Sequence, residues 1–125
     1  MKVIAGLGNP GREYERTPHN VGFDVVEALR GQFAAEWRTS RRFQARVAKT
    51  VRAGEQVLLV QPLTFMNLSG TSVAPLLRYH GGKPDDLIVV LDDADLPLGR
   101  LRIKPAGGSG GHRGLASVIE AVGTE

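Results

Sequence analysis

Residues 2–7 read Lys-Val-Ile-Ala-Gly-Leu, and this short, nearly continuous apolar run decides the fold. A strand buried on one face alternates apolar and polar residues, whereas a strand buried on both faces does not. Residues 56–60 and 87–91 are two further apolar runs of similar length. Three such runs predict the central strands of a sheet that is covered on both sides.

The segments between these runs predict helices and outer strands. Apolar residues recur at helical spacing over residues 20–37, although Gly31 weakens the far end of that helix by about 1 kcal/mol relative to alanine. A second helix is expected over residues 68–80, opening at Ser69 with Pro75 near its first turns. The remaining predicted elements are a strand at 44–51 that forms a hairpin with 56–60, a strand at 100–104 and a helix at 115–122. The predicted fold is α/β, one domain over residues 1–125, with a twisted mixed β-sheet and helices on both faces.

Composition bounds the class of protein. The chain has 125 residues, 42% hydrophobic and 23% charged, as an ordinary globular domain has. It lacks cysteine, no run approaches the ~18 apolar residues of a membrane span, and the first residues enter a strand directly. These features predict a cytoplasmic protein without a membrane partner. The net charge of +3 favours a polyanionic partner, nucleic acid above all.

Polar clusters follow the ends of the three apolar strands. They are residues 8–10 after the first run, residues 64–67 after the second, and Asp92 with Asp93 after the third. Ligands of such sheets bind beyond the carboxyl ends of parallel strands. If these strands are parallel neighbours, the clusters converge on one edge and form the site.

The glycine turn at residues 6–11 also fits the dinucleotide fingerprint G-x-G-x-x-G. That fingerprint should open a long helix, but Thr17-Pro18 follows within a few residues and proline disfavours helix before it. The acidic residue expected about 20 residues further on, at the end of a second strand, is missing as well. A tight strand-to-loop turn is the simpler interpretation of Gly6 and Gly11.

Several blocks of sequence closely resemble the bacterial peptidyl-tRNA hydrolases, in the family's order and over nearly the whole chain. The blocks are residues 6–11, Tyr14, and residues 16–22, 62–70, 92–99 and 107–114. The resemblance implies an enzyme that hydrolyses the ester joining a peptide to the 3′ ribose of tRNA, and so recycles tRNA for translation. It also implies a mixed α/β fold, a monomer, and activity without a metal or organic cofactor.

By the same resemblance, His19 is the general base that activates water, since a neutral imidazole suits that task near neutral pH. Asp92 orients His19 and stabilises the imidazolium that forms. Asn9 and Asn67 supply uncharged amides that fix the peptide backbone and the carbonyl where negative charge develops.

The resemblance also implies substrate-binding residues. Met66 and Tyr14 are similar to the walls of the family's peptide groove, and Asn67 belongs to the same surface. Lys104 matches a position that binds a tRNA phosphate, where a compact cation is apt. His112 and Arg113 lie in the glycine-rich loop of the site.

Structural interpretations compete with these roles. Asp92 suits a capped turn, Asn9 before Pro10 suits a turn, and Asn67 or Ser69 suits the cap of the following helix. Met66 fits a plain core position. Four arginines fit either a solvated face or tRNA contacts: Arg38, Arg41, Arg42 and Arg46.

The chain departs from the family pattern in two places. The family's loop usually carries an asparagine after His112, and here Arg113 replaces an amide by a permanent cation that only donates hydrogen bonds. We expect Arg113 to contact a phosphate or the 3′ end of tRNA. Family members also continue beyond Glu125 with a further strand, a lid and closing helices, which predicts a fragment or a divergent short form. The alternative function is therefore a catalytically weak or inactive RNA-binding protein of the same fold.

Overall fold

The computed structural model describes residues 1–11, 20–92, 101–104 and 113–123, with Asp92 and residues 101–104 described by their backbone alone. Within these ranges the strands are β1 Lys2–Gly6, β2 Trp37–Ser40, β3 Ala45–Arg52, β4 Glu55–Pro62, β5 Leu87–Asp92 and β6 Leu101–Lys104. The helices are α1 Val21–Gln32, α2 Gly70–Tyr79 and α3 Arg113–Val122. All three predicted apolar runs form strands.

The strands form one mixed sheet in the order β2-β3-β4-β1-β5-β6. The first strand of the chain lies near its centre, parallel to β4 on one side and to β5 on the other. The remaining pairs, β2–β3, β3–β4 and β5–β6, are antiparallel. The predicted mixed sheet and the predicted hairpin are therefore confirmed.

Alternate residues of the central strands pack against helices on opposite faces. Val3, Leu58 and Val60 belong to the apolar core that includes residues of α2 and α3. Leu59 belongs to a second core, against which Ile4, Leu29 of α1 and Phe33, directly after that helix, pack. Both Leu58 and Leu59 are fully buried. Each of these strands is thus buried on both sides, as its unbroken run of apolar residues predicts.

The first helix is shorter than its apolar spacing predicts. It ends at Gln32, and Ala34 follows in the left-handed conformation with φ 53°. Trp37 is not a helical residue but the first residue of β2, where it pairs with Ala48. Its indole Nε1 donates a hydrogen bond of 2.6 Å to Glu27 of α1. Hydrogen bonds from Arg30 and then from Trp37 lower the pKa of Glu27.

The second helix begins close to its predicted start. Ser69 precedes Gly70 at the N-cap position, but its hydroxyl donates to the carbonyl of Met66 at 2.7 Å instead of capping the helix. Pro75 lies in the second turn on the exposed side of the helix. Having no backbone N–H, it leaves the carbonyl of Thr71, also an exposed residue, without its helical donor. Arg113 begins α3, two residues before the predicted start.

Candidate active site

Three neighbouring strands end at one edge of the sheet. Ala5 of β1 is aligned with Val60 of β4, and Gly6 of β1 is aligned with Val90 of β5. Because both pairs are parallel, the segments that leave β4, β1 and β5 start side by side. The predicted convergence of the strand ends is confirmed for the backbone, since Asp92 is the last residue of β5.

Asn9 connects two of these segments directly. Its side-chain Oδ1 accepts a hydrogen bond of 2.6 Å from the backbone N–H of Met66. The loop after β1 is therefore joined to the loop after β4. With its oxygen held by Met66, the amide of Asn9 has a fixed orientation, and its Nδ2 hydrogens remain as the donating end.

Asn20 holds the backbone of Asn9 from the other side. Its Oδ1 accepts a hydrogen bond of 2.8 Å from the backbone N–H of Asn9, and its Nδ2 donates one of 3.0 Å to the Asn9 carbonyl. Asn20 is only 5% exposed. Although it occupies the N-cap position of α1, its side chain makes no capping hydrogen bond there. It fixes the loop of Asn9 instead.

The beginning of α1 lies directly against the strand ends. A Cβ atom at Gly22 would lie 2.5 Å from the carbonyl oxygens of Leu7 and Val90, so only glycine fits this contact. The backbone N–H of Leu7 also donates to the carbonyl of Val90 at 2.9 Å. The helix that follows His19 and Asn20 in sequence is thus anchored at the same edge as Asn9.

Met66 and Asn67 lie in a short 3-10 turn, Met66–Leu68, between β4 and α2. Met66 is half-buried and packs against the main apolar core, whereas Asn67 is exposed. Within the described parts of the chain the Asn67 side chain caps no helix, because Ser69 occupies the N-cap position of α2. The capping interpretation of Asn67 is therefore wrong, and its amide faces solvent.

A groove of about 600 Å³ brings Asn67 and Arg113 together. It runs between the 3-10 turn and α3, and its walls include Leu68, Thr71 and Glu120. Helices α2 and α3 approach closely here, since the backbone N–H of Gly70 in α2 donates to the Ser117 hydroxyl of α3 at 2.9 Å. Arg113 is exposed at the N-terminus of α3, where the helix dipole adds positive potential. One end of the groove therefore suits an anion.

The other predicted site residues lie outside what the structure describes. His19, Tyr14 and His112 fall in undescribed segments, and the side chains of Asp92 and Lys104 are not described. The backbone of Lys104 pairs with Val89 rather than with Asp92. It therefore lies three residues along β5 from the strand end, about 10 Å at strand spacing.

Neither a metal site nor a membrane-spanning helix is found among the described residues. No group of three His, Cys, Asp or Glu side chains there is arranged to hold a metal ion. None of the helices described is both long and apolar enough to cross a bilayer.

Comparison with known proteins assigns the fold and these segments to one family. The sequence profile of the family described as peptidyl-tRNA hydrolase matches residues 3–125. The chain belongs to the peptidyl-tRNA hydrolase family. The family predicted from the sequence blocks is thus confirmed, and the alternative of a non-catalytic RNA-binding protein is not favoured by these matches.

Named relatives agree with this assignment. The chain is 46% identical to the peptidyl-tRNA hydrolase of Listeria monocytogenes and 49% identical to that of Lactiplantibacillus plantarum, in each case over all 125 residues and 67% of the relative. A crystal structure of peptidyl-tRNA hydrolase from Acinetobacter baumannii superposes with a TM-score of 0.91 at 35% identity. That alignment covers 100% of this chain and 64% of the other. The chain thus spans about two thirds of the length of the relatives it matches.

Sequence reasoning misses Asn20. This residue enters only as part of a motif, because an asparagine before an amphipathic helix has an ordinary explanation as a cap. Its pairing with Asn9 depends on the meeting of the β1 loop and the start of α1. No local sequence pattern predicts that contact.

Proposed function

We propose that this chain hydrolyses the ester between a peptide and the 3′ ribose of tRNA, with His19 as general base. The observation that carries the proposal is the meeting of three strand ends, where Met66 fixes the side-chain amide of Asn9 and Asn20 fixes its backbone. Membership of the peptidyl-tRNA hydrolase family supports the choice of ester.

The proposed reaction begins with a water molecule hydrogen-bonded to the imidazole of His19. The imidazole takes a proton while the water oxygen attacks the ester carbonyl carbon. Donors from the side chains of Asn9 and Asn67 stabilise the negative oxygen of the tetrahedral intermediate. Collapse of that intermediate breaks the bond to the ribose oxygen, which receives the proton from the imidazolium. The products are a peptide carboxylic acid and a tRNA with a free 3′ hydroxyl.

The orientation of Asn9 supports its part in this scheme. Because its Oδ1 already accepts a hydrogen bond from Met66, the end that remains is the donating Nδ2. A donor is what a developing oxyanion requires. Asp92 would hold the His19 ring in one tautomer, as the acid of a catalytic triad does. Its backbone position at the end of β5, beside β1, suits that task.

Substrate contacts complete the proposal. Tyr14 and the half-buried Met66 would line the peptide side of the site. Arg113, which shares a groove with the exposed Asn67, would bind a phosphate near the 3′ end, together with His112. Lys104 would bind a phosphate further along the tRNA. The proposed setting is the cytoplasm, where peptidyl-tRNA arises, with the chain acting as a monomer.

Release of peptide from a peptidyl-tRNA mimic tests the proposal. His19→Ala should reduce the rate by about 10²–10⁴-fold while the unfolding temperature stays the same, because a positioned base contributes that much. Binding of tRNA should survive the substitution. If the unaltered chain bound tRNA but released no peptide, or if His19→Ala released it equally well, the proposed function would be wrong.

A further inference from the structure

The second and third strands form a hairpin of unusual charge. Residues 37–54, here called the basic hairpin, contain no Asp or Glu and six cations, namely Arg38, Arg41, Arg42, Arg46, Lys49 and Arg52. Since the whole chain has a net charge of +3, it would be −3 without these six. The positive charge of the molecule is therefore concentrated on one element.

The tip of the basic hairpin, residues 41–44 between β2 and β3, lies at the same sheet edge as the candidate active site. Ala45, the first residue of β3, pairs with Pro62, the last residue of β4. The backbone N–H of Leu63 then donates to the carbonyl of Gln44 at 2.7 Å. The chain continues from Leu63 to Met66 and Asn67, so the tip borders the segment that carries them. Two strand spacings, about 10 Å, separate β3 from β1.

Aromatic rings support one guanidinium at this tip. The guanidinium carbon of Arg42 lies 4.7 Å from the ring centre of Tyr79 and 5.2 Å from that of Phe43. Tyr79 is 60% exposed at the end of α2. A guanidinium stacked on a ring keeps its edge N–H groups directed outwards, in the planar fork that matches a phosphate. Arg41, next to it, is exposed as well.

A cavity of about 650 Å³ lies beside the tip, and its lining is also positively charged. Arg38 and Lys49 contribute to its walls, and among the described residues that line it Glu36 is the one carboxylate. Ion pairs within the described ranges join Met1 to Glu55 and Arg30 to Glu27, and none includes a cation of the basic hairpin. Arg46 has a different role, because it donates to Gln61 and lies over the ring of Trp37.

We propose that the basic hairpin binds backbone phosphates of the tRNA part of the substrate, with Arg41 and Arg42 as the main contacts. The inference rests on the proposed function for the identity of the RNA. Its own support is the concentration of positive charge, the stacked guanidinium and the position of the tip beside the candidate site. The hairpin would hold the tRNA body while the ester reaches Asn9.

Binding of deacylated tRNA at several salt concentrations tests this surface. Arg41→Gln combined with Arg42→Gln should weaken binding about tenfold at 0.1 M salt and reduce the slope of log K against log[salt] by about two, one for each phosphate that is no longer neutralised. Arg41→Gln alone, which leaves the stack on Tyr79 in place, should reduce the slope by about one.

The matched control removes the same charge at the opposite edge of the sheet. Lys2 begins β1 and Lys83 precedes β5, and both side chains are exposed. Lys2→Gln combined with Lys83→Gln should leave the affinity and the slope close to those of the unaltered chain. Equal losses in the two double variants would mean that net charge alone matters and would overturn the inference.

Binding and ester release separate this inference from the proposed function. An unaltered chain that binds tRNA through Arg41 and Arg42 but releases no peptide would support the hairpin surface and refute the esterase. Release by the unaltered chain with unchanged binding in both arginine variants would refute the hairpin surface alone. An unaltered chain that fails to bind tRNA would also refute it.

Discussion

The side chain of Asn9 has two ends that serve different purposes. Its oxygen joins two loops by accepting from Met66, and its nitrogen is the group proposed to meet the oxyanion. Position 9 therefore needs a side chain that both accepts and donates hydrogen bonds, as an amide does. A carboxylate at this position would keep the acceptor and lose the donor.

Asn9→Asp separates these two purposes. We expect the free energy of unfolding to change by less than about 1 kcal/mol, because the acceptor for Met66 is retained. The rate of ester release should fall by about 10²-fold or more, as it does when one oxyanion donor is removed. Urea unfolding and peptide release on the same preparations measure the two effects.

Asn9→Ala provides the comparison, since it removes both ends. It should lower the free energy of unfolding by about 1–3 kcal/mol by leaving the N–H of Met66 without its acceptor. A fully active Asn9→Asp variant would contradict the donor role of the side chain.

Residue identity alone predicts only part of this arrangement. The strand ends that carry Asn9 and Met66 can be placed from apolar runs, because a run of that kind must be buried on both faces. The link between Asn9 and Asn20 cannot be predicted from the sequence. It depends on which backbone groups of the folded loop are left without hydrogen-bond partners. His19, Tyr14 and His112 stay predictions.

At the scale of the element, α1 is positioned by backbone contact rather than by side-chain packing at its first turn. Gly22 allows the helix to rest on the carbonyls of Leu7 and Val90. Gly31, near the other end of the same helix, has no atom within 4 Å of an added Cβ. The close packing of α1 on the strand ends thus requires glycine at position 22, whereas position 31 has room for a side chain.

Substitution of these two glycines should have opposite effects. Gly22→Ala should lower the free energy of unfolding by about 1–3 kcal/mol or more, because the methyl group would displace the helix from the strand ends. Gly31→Ala should raise it by about 0.5–1 kcal/mol through helix propensity. Thermal or urea unfolding of both variants measures the signs. Equal effects of the two substitutions would show that α1 does not rest on the sheet as described.

Element boundaries are predicted well where burial decides them and poorly where register decides them. The hairpin of β3 and β4 follows from alternation and a turn at Ala53 and Gly54. Trp37 fits a helical spacing equally well, and only its pairing with Ala48 assigns it to a strand. A four-residue outer strand with a single apolar residue has too little pattern to be recognised alone.

At the scale of the whole molecule, the sheet separates two apolar layers that share the same strands. Leu58 faces the layer of α2 and α3, and Leu59 faces the layer of α1. Trp37, the one tryptophan of the chain, packs against the α1 layer. Neither layer can lose its sheet without exposing the other, so unfolding should be cooperative.

Leu58→Ala tests this coupling. It should lower the free energy of unfolding by about 2–5 kcal/mol, the usual cost of a leucine cavity. Trp37 lies on the opposite face of the sheet. The urea midpoint of unfolding measured by its fluorescence should fall by the same amount as the midpoint measured by far-UV circular dichroism. Separate transitions for the two signals would mean that the layers unfold independently.

The central position of β1 also has a consequence for biosynthesis. Val3 is translated well before its neighbours in the finished sheet, which are Leu58 on one side and Leu87 on the other. The nascent chain must carry an apolar, unpaired segment until Leu87 has been translated. Such distant pairing slows folding, so we expect the newly made β1 segment to be a natural client for holding chaperones.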